Sequence, residues 1–377
     1  MKFLDFLICQ FDADSRSTRI VVGRLFFSIL LGREETILGR STVYHEIVTD
    51  EKWSLVNEEN KKLLKEFVNY LKSANKSPAT IKQYEAQLRT FFVFVCDECE
   101  NKFFVDLKKR DYIKYFGYLA NELEVSPNRV SSLRAVISSL SNFIERILDE
   151  EYPTFRNIVK ILEPVQKVAV REKTVLDEEQ IQKCLDALVA DRKYQVACAL
   201  ALLASSGMRK SELIQMKVEY FNDDHLIFNG AAWETDKIRT KGRGKIGKVI
   251  SRIVFRGIID FEKYLNLWME ERKKNGINNE WLFIVYNDGN YEKAEISTAN
   301  SFARTITAYM GEPVYLHCLR HYFTTTLLRK GFSATDVQKI VEWASADMVK
   351  TYDDRSSKEE LEEIMAKLRT QDPMNRT

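Results

Sequence analysis

Between residues 57 and 149 apolar side chains return every three or four positions, the period of one helix face. Leu63, Leu64, Phe67, Tyr70 and Leu71 line one stripe. Ile81, Tyr84, Leu88, Phe91, Phe92 and Val95 line a second, opened by Ser77-Pro78. Val130, Leu133, Val136, Ile137, Leu140, Phe143, Ile144 and Ile147 line another, opened by Ser126-Pro127. A serine hydroxyl accepts from the free N–H groups of a first turn, and proline lacks an N–H that this turn leaves unused, so Ser-Pro reads as a helix start. With a helix over Asp111 to Leu123, the segment predicts a compact helical domain over 57–150. The chain holds only 14 Gly and 6 Pro in 377 residues, which excludes a collagen-like, disordered or turn-dense all-β protein. The expected class is mostly α with a small β-sheet, α+β.

The rest of the chain divides around that domain. Residues 1–52 carry short apolar stretches, Ile20-Val21-Val22 and Phe26 to Leu31, separated by Gly23, Gly32 and Gly39, which predict a small β-rich unit. Residues 151–174, with Pro153, Pro164 and weak periodicity, read as a linker. A second large domain spans 175–356. It opens on Asp177-Glu178-Glu179, a helix-start pattern, and includes the apolar run Val196 to Ala204. A β-like interval follows, with Leu226-Ile227-Phe228 and then Val249, Ser251, Ile253 and Phe255 in alternation. Residues 357–377 predict a last helix with Leu361, Ile364, Met365 and Leu368 on one stripe.

Charge and cysteine usage narrow the class further. The balance of 57 Lys and Arg against 55 Asp and Glu rules out a uniformly basic chain, but net charge averages over faces and leaves a local basic patch open. The six cysteines are scattered, and Cys96 with Cys99 sits alone in an apolar-periodic stretch, so it reads as part of a helix rather than as a zinc or redox pair. Such a spread points to reduced thiols and a cytoplasmic protein. The apolar run Leu25 to Leu31 is too short to span a membrane, and no membrane partner is expected.

Four motifs in the second domain carry chemistry. Ser206-Gly207-Met208-Arg209-Lys210-Ser211-Glu212-Leu213 places Arg209 at a helix start beside an apolar segment, where it can serve a site or pair with Glu212. His317-Cys318-Leu319-Arg320-His321 puts His317 and Arg320 on one helix face. Such a pair suits an oxyanion: arginine offers a planar fork of donors, and histidine can donate or shuttle a proton. The interval 236–256 holds Lys237, Arg239, Lys241, Arg243, Lys245, Lys248, Arg252 and Arg256 against one acid, Asp236, with Gly242, Gly244 and Gly247 among them. It reads either as a solvated hairpin or as a tight turn that approaches a phosphate backbone. Last, Trp343 precedes Tyr352 by nine positions.

Taken together these elements resemble the tyrosine recombinase (phage integrase) family. The match runs through Arg209 with Ser211-Glu212-Leu213, Lys241, His317-x-x-Arg320-His321, Trp343 and Tyr352, in the family's order and local spacing, over roughly residues 57 to 370. Trp343 stands where many members have histidine. Lys241-Gly242-Arg243-Gly244-Lys245 is longer than the family's usual turn, so Lys245 is an alternative to Lys241. The resemblance implies a helical SAM-like core-binding domain and a catalytic domain. It further implies cleavage and rejoining of double-stranded DNA through a 3′-phosphotyrosine intermediate and a Holliday junction.

In that scheme Tyr352 is the nucleophile, Arg209, His317 and Arg320 stabilise the charge that builds on the phosphate, Lys241 protonates the leaving 5′-oxygen, and Trp343 bonds the phosphate or packs the site. Glu212 and His321 support them. Arg239, Arg243 and Lys245, with Arg129 and Arg134 on the helix at 126–147, are the expected DNA contacts. No metal or cofactor is implied. The family pattern implies a homotetramer on two DNA sites, nucleoid-associated, with possible accessory DNA-bending proteins, and residues 357–377 as an element exchanged between subunits. Residues 1–52 would bind accessory DNA sites. The leading expectation is the integrase of a phage or mobile element. A Xer-like resolvase and a non-catalytic DNA-binding protein on the same scaffold are the alternatives.

Overall fold

The computed structural model describes residues 47–163, 174–240, 242, 247–343 and 345–362. The unit expected over 1–52 therefore lies outside the described residues up to 46, and its last residues belong to a helix that starts at Asp50. Residues 164–173 of the expected linker, and Ile364, Met365 and Leu368 of the expected last helix, also lie outside. Among the described residues no helix is long and apolar enough to cross a membrane.

The first part of the chain builds the expected helices: α1 (Asp50–Leu55), α2 (Glu58–Ser73), α3 (Pro78–Glu98), α4 (Lys109–Gly117) and α5 (Pro127–Ile147). Ser77 caps α3 by accepting from the Thr80 N–H at 3.2 Å, and Pro78 and Pro127 sit in first turns. The helix expected from Asp111 starts two residues earlier, where the Asp111 carboxylate accepts from the Lys108 N–H at 2.8 Å, and it widens into a π turn over Tyr118–Glu122. The stripes converge on an aromatic core in which Phe67, Phe91, Phe92, Phe104, Tyr112 and Tyr115 are fully buried. Cys96 lies within α3 and Cys99 just past its end, as a helical pair.

Two expectations are corrected here. Residues 151–162 do not run as a free linker: Phe155 and Val159 are buried in the same aromatic core, and Ile158–Lys160 forms a 3-10 turn. Arg134 anchors that return. Its guanidinium lies over the Phe116 ring and donates to the carbonyls of Val159, at 2.8 Å, Leu162 and Glu163. A guanidinium committed to three carbonyls is a structural clasp, and the expected DNA contact by Arg134 is withdrawn. Arg129, in the first turn of α5, is exposed.

The second core, residues 176–352, is built round one helix. After α6 (Glu178–Ala190), α7 (Tyr194–Ser206) has its residues from Ala197 to Ser206 buried, and α6 packs on it. So do α9 (Phe261–Lys274), α10 (Ile296–Met310) and α11 (Leu316–Arg329). Its apolar run fits a helix that is covered all round. Between α8 (Lys210–Leu213) and α9 lie five short strands. β1 (Leu226–Ile227), β2 (Ala232–Glu234) and β5 (Ile253–Phe255) form one antiparallel sheet, and β3 (Ile238–Thr240) pairs with β4 (Lys248–Ile250) in another. A hairpin of β6 (Ile284–Asn287) and β7 (Asn290–Lys293) follows. The chain then runs through α12 (Ala334–Val341) and α13 (Asp347–Tyr352).

The alternation expected along 249–255 is present, but its phase is the opposite. Ile250, Arg252 and Val254 face inward, whereas Val249 is 45% exposed. In a strand a slip of one residue moves every side chain to the other face. The continuous strand is also broken: β4 belongs to the hairpin with β3, and β5 to the sheet with β2. The basic interval is accordingly less free than its composition suggests. Arg252 is 1% exposed, Lys248 pairs with Glu342, and Arg256 pairs with Glu262 and lies over the Trp233 ring. Lys237 and Arg239 remain exposed.

Candidate active site

The site is assembled from four segments: the α7–α8 turn, α11, the end of α12 and the end of α13. Helix α7 ends at Gly207, which takes a left-handed conformation at φ +57°. A Cβ there would come within 2.5 Å of the Phe323 ring, so both backbone and space demand glycine. The reversal sends the chain into α8 with Arg209 as its first flanking residue. Helix α11 carries His317, Arg320 and His321 on successive turns. Helix α12 ends at Val341, with Glu342 in a left-handed turn at φ 60° before Trp343. Tyr352 is the last residue of α13, and its carbonyl accepts from the Thr325 hydroxyl of α11 at 3.3 Å. Thr325 also accepts from the Asp354 N–H at 3.0 Å, which fixes the chain on both sides of the tyrosine.

The Tyr352 side chain is 8% exposed. Its hydroxyl lies 2.7 Å from His317 Nε2, its ring 4.6 Å from the Trp343 ring and 4.5 Å from that of His321. The Arg320 guanidinium stacks over Trp343 at 5.0 Å and over Tyr352 at 5.9 Å. Arg320 is fully buried. It donates to the Gly207 carbonyl at 2.6 Å and the Val341 carbonyl at 3.3 Å, while its Nε and the Trp343 indole N–H have no hydrogen-bond partner. Buried donors left unpaired cost about 1–3 kcal/mol each, and these two, lying beside Tyr352, are free to meet an oxyanion. His321 is buried, with Nδ1 3.5 Å from the Asp354 carboxylate.

A buried carboxylate organises the other half. Glu212 has no exposed surface and accepts from the Arg209 N–H at 2.9 Å, from Arg209 Nη1 at 3.0 Å and from the Thr240 hydroxyl. Arg252 Nη2 completes the set at 2.9 Å and 2.8 Å from its two oxygens. Burial raises the pKa of Glu212, but the charge and hydrogen bond of Arg252, with Thr240 and the Arg209 N–H, outweigh it and hold the group at about 2. Thr240 also lies 3.2 Å from Arg209 Nη1. Arg209 is thereby aimed from both sides while remaining partly open to solvent.

Electrostatics fix protonation around the tyrosine. Partial burial, then the positive charge of Arg320, push His317 down to about 4, so the imidazole is neutral at pH 7. Burial, then the guanidinium of Arg209, lower Arg320 to about 9, which leaves it charged. The cluster thus combines a neutral base on a phenol with arginines beside it, a set that suits transfer of an oxyanion.

Arg209, Glu212, His317, Arg320, His321, Trp343 and Tyr352 are therefore one cluster. Lys241, Arg243 and Lys245 lie outside the described residues; β3 ends at Thr240, which belongs to this cluster, and β4 begins at its pairing partner Lys248. Sequence reasoning missed Thr240, Thr325, Asp354 and above all Arg252, which it counted with the outward cations. The inward phase set by Ile250 and Val254 was the available signal.

Residues 174–359 match the model of the phage integrase family, and residues 63–154 match that of the phage integrase N-terminal SAM-like domain. This chain belongs to the phage integrase family of tyrosine recombinases. It is similar to the SPbeta prophage-derived recombinase-like protein YomM of Bacillus subtilis, at 29% identity over 339 residues, 88% of this chain and 98% of that protein. It is also similar to tyrosine recombinase XerA of Pyrococcus horikoshii, at 26% over 296 residues, 78% and 89% of the two chains. Among solved structures, the Tn1549 transposon integrase in complex with circular intermediate DNA aligns over 80% of this chain and 98% of its own, with TM-score 0.59 at 18% identity. A lambda integrase dimer bound to a core site aligns over 79% and 96%, with TM-score 0.56 at 16% identity. These likenesses show the recombinase fold, and the family membership makes the chain a site-specific recombinase, a DNA strand-transferring enzyme.

Proposed function

We propose that this recombinase is the integrase of a phage or other mobile element, acting on double-stranded DNA with Tyr352 as its nucleophile. The observation that carries the reading is the 2.7 Å contact between the Tyr352 hydroxyl and His317 Nε2, beside the buried Arg320. In the forward step the phenolic oxygen attacks phosphorus and its proton passes to the neutral imidazole of His317. The P–O5′ bond breaks, and Lys241, or Lys245 in the alternative register, gives the leaving oxygen a proton. The phosphodiester energy is kept in the phosphotyrosine, so rejoining is the same step reversed. Arg209 and Arg320 face the non-bridging oxygens, whose charge grows in the transition state, and removal of one such donor typically slows the step about 10²–10³-fold. The Trp343 indole N–H and Arg320 Nε, buried and unpaired, are further donors for those oxygens.

Likeness to a prophage-derived protein over nearly its whole length favours the integrase reading. Likeness to XerA favours a second reading, a resolvase of chromosome or plasmid dimers, and assays on directly repeated against unlinked sites separate the two. Either way we place a homotetramer on two DNA sites, with domains over 57–150 and 175–356. The test of the nucleophile is Tyr352→Phe on a nicked substrate that traps the covalent intermediate. Native protein forms the adduct, the variant forms none, and DNA affinity is unchanged. An adduct retained by the variant would sink the assignment.

A further inference from the structure

Arg252 lies outside the set of residues placed on the phosphate, yet it is 1% exposed and bears a full positive charge. Isolated burial of such a charge is so costly that it persists only when paired and bonded. Here its two terminal nitrogens bond to groups that also hold the two site arginines. Nη2 meets both oxygens of Glu212, the carboxylate that fixes Arg209 through its backbone and its guanidinium. Nη1 donates at 2.9 Å to the Val341 carbonyl, the same oxygen that accepts from Arg320 Nη2 at 3.3 Å. That carbonyl ends α12, where the helix dipole concentrates negative charge and favours cations. The Arg252 backbone is pinned as well, its N–H donating to the Thr235 hydroxyl at 2.9 Å.

We infer that Arg252 is a positioning residue that sets the spacing of Arg209 and Arg320 by bridging Glu212 to the Val341 carbonyl. This rests on the proposed phosphate-binding role of those two arginines. Only a planar fork reaches both anchors: Nη2 meets both carboxylate oxygens while Nη1 turns to the carbonyl. Lysine would keep the charge near Glu212 but, as a single point donor, would release Val341 or Glu212. The arginines would then drift relative to each other, and displacements of about 1 Å in such a site cost about 100-fold in rate.

The test is Arg252→Lys, read by three measurements: thermal unfolding, equilibrium affinity for a core-site duplex, and the rate of covalent adduct formation on nicked substrates with a 5′-oxygen or a 5′-thiol leaving group. The expected result is a folded variant with native affinity and an adduct rate lower by about 10–100-fold on both leaving groups, because the loss lies at the non-bridging oxygens. Lys241→Ala is the contrast, rescued by the thiol. Rescue of Arg252→Lys by the thiol overturns the inference, since the residue would then act through the lysine that protonates the leaving oxygen. So does an unchanged rate, or a rate that falls only in step with affinity and folding. If Arg252→Lys does not fold, the paired replacement Arg252→Met with Glu212→Leu removes both charges, and native-speed cleavage by that folded variant overturns the inference. Failure of the underlying reading looks different: native protein would form no adduct, or Tyr352→Phe would keep it.

Discussion

Glu212 keeps a negative charge with no exposed surface, because two arginines, a hydroxyl and a backbone N–H meet it there. Its pKa of about 2 in the folded chain lies below the ordinary value of 4.5. The sign follows directly: the unfolded chain takes up the proton first, so the stabilisation is complete above pH 4.5 and is lost as the pH falls toward 2. Glu212→Gln should cost about 3 kcal/mol at pH 7 by leaving Arg252 buried beside a neutral partner. The gap between native and variant, measured by denaturant unfolding, should narrow steadily below pH 4.5. A gap that is the same at pH 7 and pH 3.5 would show that the charge is not its origin. Glu212 was legible in the sequence, three residues after Arg209 in a helix start. Its other partner was not, because Arg252 is forty positions away and only the strand phase turns it inward.

At the scale of elements, the helices were readable because each carries its own signal. Ser77-Pro78 and the stripe from Ile81 to Val95 describe α3 without reference to anything distant. The strands were not, since β3, β4 and β5 are three residues each and their partners, not their composition, decide which face is buried. The return after α5 failed for a related reason: Pro153 and Pro164 suggested a linker, whereas Phe155, Val159 and the Arg134 clasp tie the segment to the helical core. This separates two arginines of one helix. Arg134→Met should destabilise the chain by about 1–3 kcal/mol, as carbonyls lose a charged donor, and leave the salt dependence of DNA binding unchanged. Arg129→Ala, on the exposed first turn, should leave stability alone and lower the slope of log affinity against log salt by about 1, if it meets a phosphate. Denaturant unfolding and a salt titration of binding distinguish them, and the reverse pattern would put Arg134 at the DNA instead.

For the whole molecule, the near-balance of 57 basic against 55 acidic residues is reached partly inside the fold. Cations that looked free in the sequence are spent on internal partners, Arg252 on Glu212, Lys248 on Glu342 and Arg134 on backbone carbonyls, so the charge left for DNA sits on fewer residues than a count suggests. Among the described residues the two hydrophobic cores are built from separate stretches of chain, 56–159 and 176–352. Ile47 and Val48 pack against the helical core, and Thr49 caps α1 by accepting from the Lys52 N–H at 3.2 Å, so a cut between residues 46 and 47 keeps every described contact. Removing residues 1–46 should therefore leave a cooperatively folding protein that forms the Tyr352 adduct on a core-site substrate at the native rate. What it should lose is affinity for longer DNA that carries flanking sequence, measured by competition between short and long duplexes. Equal affinity of the two proteins for the long duplex would end the accessory-site role, and loss of the core-site adduct in a folded truncation would place residues 1–46 in core recognition.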